Sequence, residues 1–158
     1  MKESIKKGIS FGLTSGIITT LGIMIGLDAG TGLKLAVMGG ILTVAIADAF
    51  SDALGVHMAE ESSKRNSHKA VWEATISTFL TKFIIASSFL IAFFFLSLST
   101  AIIVNLVWGF LLLITFNYIL ARQQKENPLM VIGEHVLIAA VVVVITFFVG
   151  KFVAFYFI

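Results

Sequence analysis

The sequence has no cysteine, one proline and few charged side chains, and each scarcity narrows what the protein can be. Without cysteine there are no disulfides and no thiolate ligands, so a bound metal must be met by oxygen, nitrogen or methionine sulfur. A formal net charge of +2 is too small to indicate nucleic-acid binding. The chain also lacks a Gly-rich nucleotide fingerprint. We therefore predict no enzymatic activity, no bound cofactor and no nucleic-acid partner.

Apolar residues are what the chain has in excess. They make up 58% of its 158 residues, while charged residues make up 13%, against about 25% in soluble domains. A soluble fold of this size cannot hide so much apolar surface, whereas a bilayer accepts spans of about 20 such residues. We predict an all-α integral membrane protein, a single domain over 1–158, with spans at roughly 8–27, 33–58, 74–96, 101–121 and 129–157.

The basic residues favour one orientation in the membrane. Cytoplasmic loops carry an excess of Lys and Arg, and this bias sets the topology. Most basic residues lie before the first span and in the loops after the second and fourth spans, whereas only Lys34 and Lys151 flank the opposite side. We therefore expect a cytoplasmic N-terminus, a C-terminus outside, lipid as a partner, and a location in a prokaryotic cell membrane.

Two aspartates interrupt the apolar second span. Asp48 and Asp52 are at i and i+4, so they share one helix face, close enough to bind one cation or one proton. A carboxylate in hydrocarbon costs about 2.5–3.5 kcal/mol even on the lenient insertion scale, so it usually faces a cavity, a partner or a cation. The alternative is structural: the acids form an internal salt bridge or accept hydrogen bonds from helix hydroxyls. Lys82, in the third span, either supplies that bridge or extends to the interface. We favour an ion-handling role because two acids outnumber the single base.

Small residues mark the first span as a packing surface. Gly8, Gly12 and Gly16 recur every four residues, a spacing that lets another helix approach closely. We expect a packed interface there, within one chain or between subunits. Ser15 lies about as far from the cytoplasmic end as Asp48, so we predict one polar layer that joins the two helices.

Two sequence motifs point to a family. The run GLTSGIITTL at residues 12–21 resembles the first-helix motif of the vacuolar iron transporter family, and ADAFSDALG at 47–55 resembles its second-helix motif. The resemblance implies a five-helix homodimer that moves ferrous iron, and often manganese or related divalent ions, out of the cytosol in exchange for protons. It also implies that the first two helices line the path at the dimer axis.

The chain departs from the family pattern at the metal site. Ser15 stands where the family has an aspartate, and Asp52 where it has a methionine, while the family carboxylate at Asp48 is retained. A carboxylate in place of a thioether shifts preference from softer ions towards manganese, magnesium or calcium. The candidate ligands in the membrane are Asp48, Asp52, Ser15 and Thr14, with Fe²⁺ or Mn²⁺ as the expected substrate.

The family also has a cytoplasmic helical domain rich in Glu and Met, and here only a short polar segment separates the second and third spans. Four residues at the end of the second span are candidates for a substitute metal-capture site: His57, Met58, Glu60 and Glu61. His57 shares a helix face with both glutamates, so imidazole and carboxylate could meet one ion. The alternative, which we favour, is a solvated helix end on which the glutamates balance Lys64 and Arg65.

These observations predict a divalent cation transporter that exports its ion in exchange for protons. Four carboxylates near one dimer axis cannot all stay ionised without a cation, so an empty site holds protons and a filled site releases them. The competing hypothesis is a membrane scaffold or assembly protein that keeps the fold without transport. The missing first-helix aspartate and the missing cytoplasmic domain favour that second hypothesis.

Overall fold

A computed structural model describes residues 2–63 and 66–157 of the chain. Every regular element in these ranges is helical, and five helices are long and apolar enough to cross a membrane. They are α1 Glu3–Thr31, α2 Lys34–Ser62, α3 His68–Phe95, α4 Leu98–Gln124 and α5 Pro128–Phe157. The prediction of an all-helical protein with five membrane-length helices is confirmed.

The helices extend beyond the predicted spans because their ends follow capping rather than hydropathy. The first span, predicted to end at residue 27, continues to Thr31 and stops where Gly32 adopts a left-handed φ of 60°. Ser67 caps α3 by accepting a hydrogen bond from the Ala70 N–H at 3.3 Å. α5 begins at Pro128, one residue before the predicted span, because a proline in the first turn loses no helical hydrogen bond.

The chain divides into two compact packing units, each with its own helix contacts. The first contains Met1–Thr20 and Ile41–Leu90, and therefore the start of α1, most of α2 and most of α3. The second contains Leu21–Gly40 and Ile91–Ile158, and therefore the end of α1, the start of α2, and α4 and α5. All the residues predicted for the ion site and the capture site belong to the first unit.

In the first unit, α1 packs against α3 through its glycines. A Cβ at Gly12 would lie 2.6 Å from the Thr78 carbonyl oxygen, and a Cβ at Gly16 would lie 3.3 Å from Lys82 Cγ. The predicted glycine interface therefore exists, and it lies within one chain. Because α3 already covers this face, Gly12 and Gly16 give no support to a subunit contact, and the homodimer with the first helix near its axis stays a prediction.

In the second unit, a further set of small residues brings α1 against α5. A Cβ at Gly26 would lie 3.5 Å from the Thr146 carbonyl oxygen, and a Cβ at Gly30 would lie 3.4 Å from the Gly150 carbonyl oxygen. Helices in lipid associate through such close backbone approach, because there is no hydrophobic drive between them. The glycines of α1 thus serve two intramolecular contacts along its length.

Candidate functional site

A buried lysine lies between the two aspartates of α2. Lys82 projects from α3 and its side chain is 0% exposed. Its Nζ lies 2.5 Å from Asp48 Oδ2 and also forms an ion pair with Asp52 Oδ2. The two acids predicted to share one cation therefore share an ammonium that the chain itself supplies. The bridge considered for Lys82 is confirmed, and its extension to the interface is wrong.

Ser15 of α1 completes the cluster by linking the lysine to one acid. Lys82 Nζ donates a hydrogen bond to Ser15 Oγ at 2.8 Å, and Ser15 Oγ donates to Asp52 Oδ2 at 2.6 Å. The predicted polar layer between α1 and α2 therefore exists, but Ser15 meets Asp52 rather than Asp48. The helix turn that separates the two acids accounts for the difference. Three helices contribute side chains to one charged cluster.

Asp48 is held by charge more than by hydrogen bonding. Its Oδ2 atom is buried and accepts no hydrogen bond of ordinary geometry from the described residues, although Lys82 Nζ is 2.5 Å away. Buried acceptors without a hydrogen bond are uncommon and usually have a structural or functional cause. The proximity of the ammonium compensates the carboxylate, while leaving its lone pairs available to another donor or to a cation.

The backbone of α2 is irregular where the site begins. Val44–Asp48 form a π-helical turn, and the Ala49 N–H bonds to the carbonyl oxygens of Ile46 and Val44. Single π turns within α-helices are frequent at functional sites, since the extra residue rotates the side chains that follow. Here the turn ends at Asp48, so it helps to set the direction of both acids.

The two acids are partly exposed, whereas the lysine is buried. The Asp48 side chain is 34% exposed and that of Asp52 is 22% exposed, whereas Lys82 is enclosed. The carboxylates are therefore the part of the cluster that an arriving cation can reach. Thr14, the remaining predicted ligand in this region, is half-buried on α1 and forms no hydrogen bond with the cluster in the described ranges.

The predicted capture site at the end of α2 does not assemble as one group. Within 2–63 and 66–157, no three His, Asp or Glu side chains are placed to hold a metal ion. His57 Nδ1 lies 3.0 Å from Thr75 Oγ1, and its Nε2 lies 4.0 Å from Glu61 Oε2. Glu60 turns away and accepts a hydrogen bond from Asn66 Nδ2 at 2.7 Å.

Glu60 pairs with a lysine of another helix, and Met58 is exposed; the hydropathy of the sequence predicts neither feature. Glu60 Oε1 lies 3.4 Å from Lys7 Nζ, so α1 supplies its counter-charge, while Met58 is 70% exposed. The balance predicted with Lys64 and Arg65 lies outside the described residues. A helix end with separately paired side chains fits these contacts better than a three-ligand metal site does.

A second ion pair at this end was missed from the sequence. Lys2 pairs with Glu73, and Ser4 Oγ donates a hydrogen bond to Glu73 Oε2 at 2.9 Å. Together with the pair of Lys7 and Glu60, it borders a polar cavity of about 400 Å³. The only signal in the sequence was the group of lysines before the first span, and the orientation of the protein in the membrane was enough to explain those lysines.

No family model, curated protein or solved structure matches the chain. Its chemistry must therefore be inferred from the cluster of Ser15, Asp48, Asp52 and Lys82.

Proposed function

We propose that the protein is a divalent cation transporter and that Asp48 and Asp52 bind the transported ion. One observation carries this proposal: a pair of carboxylates in a membrane-length helix faces a single buried ammonium. At formal charges the cluster retains one uncompensated negative charge. Ionisable side chains at such depth usually belong to an ion or substrate pathway, because hydrocarbon penalises them otherwise.

The donor set favours a hard or borderline divalent ion. Asp48, Asp52 and Ser15 offer oxygen atoms, which suit manganese, magnesium and calcium and also accept ferrous iron. The resemblance of the α1 and α2 motifs to the vacuolar iron transporter family supports Fe²⁺ or Mn²⁺ as the physiological substrate. Two carboxylates and a hydroxyl are too few for a complete shell of six oxygens, so water or a second subunit would supply the rest.

A second copy of the chain is the proposed source of those ligands. On α2, small side chains recur every four residues on a face that the chain leaves exposed, at Ala47, Ser51, Gly55 and Ala59. Beyond its own turn of α2, no atom of the described residues lies within 4 Å of a Cβ at Gly55, in contrast to the tightly packed Gly12. This face adjoins the partly exposed acids, so a homodimer through α2 would bring four carboxylates together and shield them from lipid.

The two glycines give a matched test of this dimer. We expect Gly55→Leu to abolish the dimer in detergent or bilayers while leaving the thermal stability of the monomer nearly unchanged. Gly12→Leu should lower that stability by about 1–3 kcal/mol or more, because its side chain would enter the space of α3. Crosslinking and analytical ultracentrifugation measure the first effect, and thermal unfolding the second. A stable dimer in Gly55→Leu would contradict the α2 interface.

Protons are the proposed counter-ion, and the N-terminus is proposed to lie in the cytoplasm. The lysines before α1 support this orientation by the positive-inside rule, and export to the outside of a prokaryotic cell membrane would follow from it. No nucleotide fingerprint is present in the sequence, so an ion gradient or the membrane potential would drive transport. Release of protons when a divalent ion arrives would provide the coupling.

A structural role is the second candidate, and the position of Lys82 favours it. Because the ammonium contacts both carboxylates, the cluster could simply fasten α2 to α3 in a scaffold or assembly protein. The two functions differ in one property. A structural cluster has no need for a divalent ion, whereas a transport site binds one.

Metal binding by the purified protein tests the proposal. Mn²⁺ at 100 times its dissociation constant should raise the free energy of unfolding by about 2.7 kcal/mol, and the addition should acidify a weak buffer. Asp48→Asn should abolish both effects, while Asp28→Asn, which alters an acid of α1 outside the cluster, should keep them. If Mn²⁺, Fe²⁺, Mg²⁺ and Ca²⁺ all leave the wild-type protein unchanged, the structural role is correct instead.

A further inference from the structure

We infer, on the basis of the proposed function, that Lys82 is a tethered competitor of the transported cation and determines the preference for divalent over monovalent ions. Its ammonium compensates one of the two negative charges of the acids when no ion is bound, and an arriving ion must displace it. Selectivity then depends on the charge of the arriving ion relative to that of the ammonium it displaces, rather than on the size of a cavity.

The ammonium occupies the position that a bound ion would need. Nζ contacts the Oδ2 atoms of Asp48 and Asp52 and the Oγ atom of Ser15, which are three of the oxygen donors that the cluster offers to a cation. A divalent ion on the same oxygens would lie within a few ångströms of the ammonium, where two positive charges repel strongly in a medium of low dielectric constant. Binding of the ion and retention of the ion pairs therefore exclude each other.

The stem of the lysine is fixed even though its end can move. The Cβ position of Gly16 lies 3.4 Å from Lys82 Cα and 3.3 Å from Lys82 Cγ, so α1 presses on the base of the side chain. The Nζ end has rotatable bonds beyond this contact, and lysine carries its charge on a flexible four-carbon chain. A change of rotamer withdraws the ammonium from the acids without moving the helix.

The charges explain why such a competitor selects divalent ions. When a monovalent ion replaces the ammonium, the net charge at the two carboxylates stays the same. The ion must also displace a group that is already tethered there. A divalent ion brings one more positive charge to the two carboxylates, which compensates for the displacement. The tethered group also compensates part of the charge of an empty site, so the acids are not left without a counter-charge in apolar surroundings.

The variant Lys82→Met removes the competitor and keeps a side chain of similar length. We expect the half-saturating concentration of Mn²⁺ to fall at least tenfold, and Na⁺ to begin to compete with Mn²⁺. Lys34→Met is the matched control, since Lys34 Nζ donates to the Leu96 carbonyl oxygen at 2.8 Å rather than to a carboxylate. That variant should bind Mn²⁺ as the wild type does. Isothermal titration with and without Na⁺ measures both effects.

A measurement on the wild-type protein covers the case in which Lys82→Met does not fold. With lysine labelled at ¹³Cε, saturation with Mg²⁺, which is diamagnetic, should shift the Lys82 resonance and leave that of Lys34 in place. Mg²⁺ binding with no movement of the Lys82 signal would overturn the inference and leave the proposed function standing. An unchanged Mn²⁺ affinity in a folded Lys82→Met variant would do the same. If the wild type binds no divalent ion at all, the proposed function itself fails.

Discussion

Replacing both acids of the cluster, in the double variant Asp48→Asn/Asp52→Asn, is expected to lower the free energy of unfolding by about 3–5 kcal/mol. The cause is Lys82, which is fully buried and would lose both of its ion-pair partners. A buried charge without a partner is far more costly than the absence of the whole pair. Thermal or denaturant unfolding in a mild detergent measures the effect.

The control for this prediction adds Lys82→Met to the double variant. The triple variant carries no charge in the cluster, so it should recover most of the lost stability, although it can bind no ion. Recovery would show that the penalty comes from the stranded ammonium rather than from altered packing of the asparagines. A double variant as stable as the wild type would mean that the ion pairs contribute nothing to the fold.

The second large effect is expected on transport. Asp48→Asn keeps the size of the side chain but removes a formal ligand charge, so uptake of Mn²⁺ into liposomes should fall by at least about 100-fold. Asp52→Met should weaken Mn²⁺ and Mg²⁺ transport while retaining that of Fe²⁺, since a thioether is a softer ligand than a carboxylate. Initial rates measured with a metal-sensitive dye inside the vesicles would report both changes.

Asp28→Asn is the control for those rates. Asp28 is an acid of α1, as close in type to Asp48 as the chain offers, and it lies outside the cluster. Its replacement should leave transport of every ion unchanged. Normal Mn²⁺ transport by Asp48→Asn would show that the acids of α2 are structural.

Much of the architecture could be predicted from the sequence because each membrane-length helix requires a long run of apolar residues. Five apolar runs predicted five helices, and the last of them starts within one residue of its predicted position. The helix ends could not be read in the same way, since they depend on local caps. The left-handed φ of Gly32 and the side chain of Ser67 are such caps, and neither changes the hydropathy of the neighbouring span.

The sequence indicated which residues form the site, but not which of them contact each other. Asp48, Asp52 and Ser15 stand out as polar side chains in apolar spans, and all three belong to the cluster. Which acid meets Ser15 depends on the vertical offset of α1 and α2, which counting residues fixes only to about one turn. Lys82 is harder still, because a four-carbon stem reaches several partners, and only packing against Gly16 limits the choice.

Spacing alone could not separate contacts within one chain from contacts between chains. The glycines of α1 and the small residues of α2 show the same four-residue repeat, yet α3 covers Gly12 while Gly55 has open space around it. The π turn at Val44–Asp48 could not be predicted from the sequence either, since valine, alanine and isoleucine also occur in the regular parts of the other helices. These features depend on tertiary packing, which periodicity does not encode.

The central claim is tested most directly by measuring ion and proton fluxes together in wild-type liposomes. Vesicles carrying both a divalent-ion dye and a pH dye should show Mn²⁺ entering as protons leave, and an imposed proton gradient should drive Mn²⁺ against its own gradient. Lys34→Met vesicles should behave like the wild type, and Asp48→Asn vesicles should show neither flux. If wild-type vesicles accumulate none of Mn²⁺, Fe²⁺, Mg²⁺ or Ca²⁺ above protein-free vesicles, the cluster of Ser15, Asp48, Asp52 and Lys82 is a structural fastening and not a transport site.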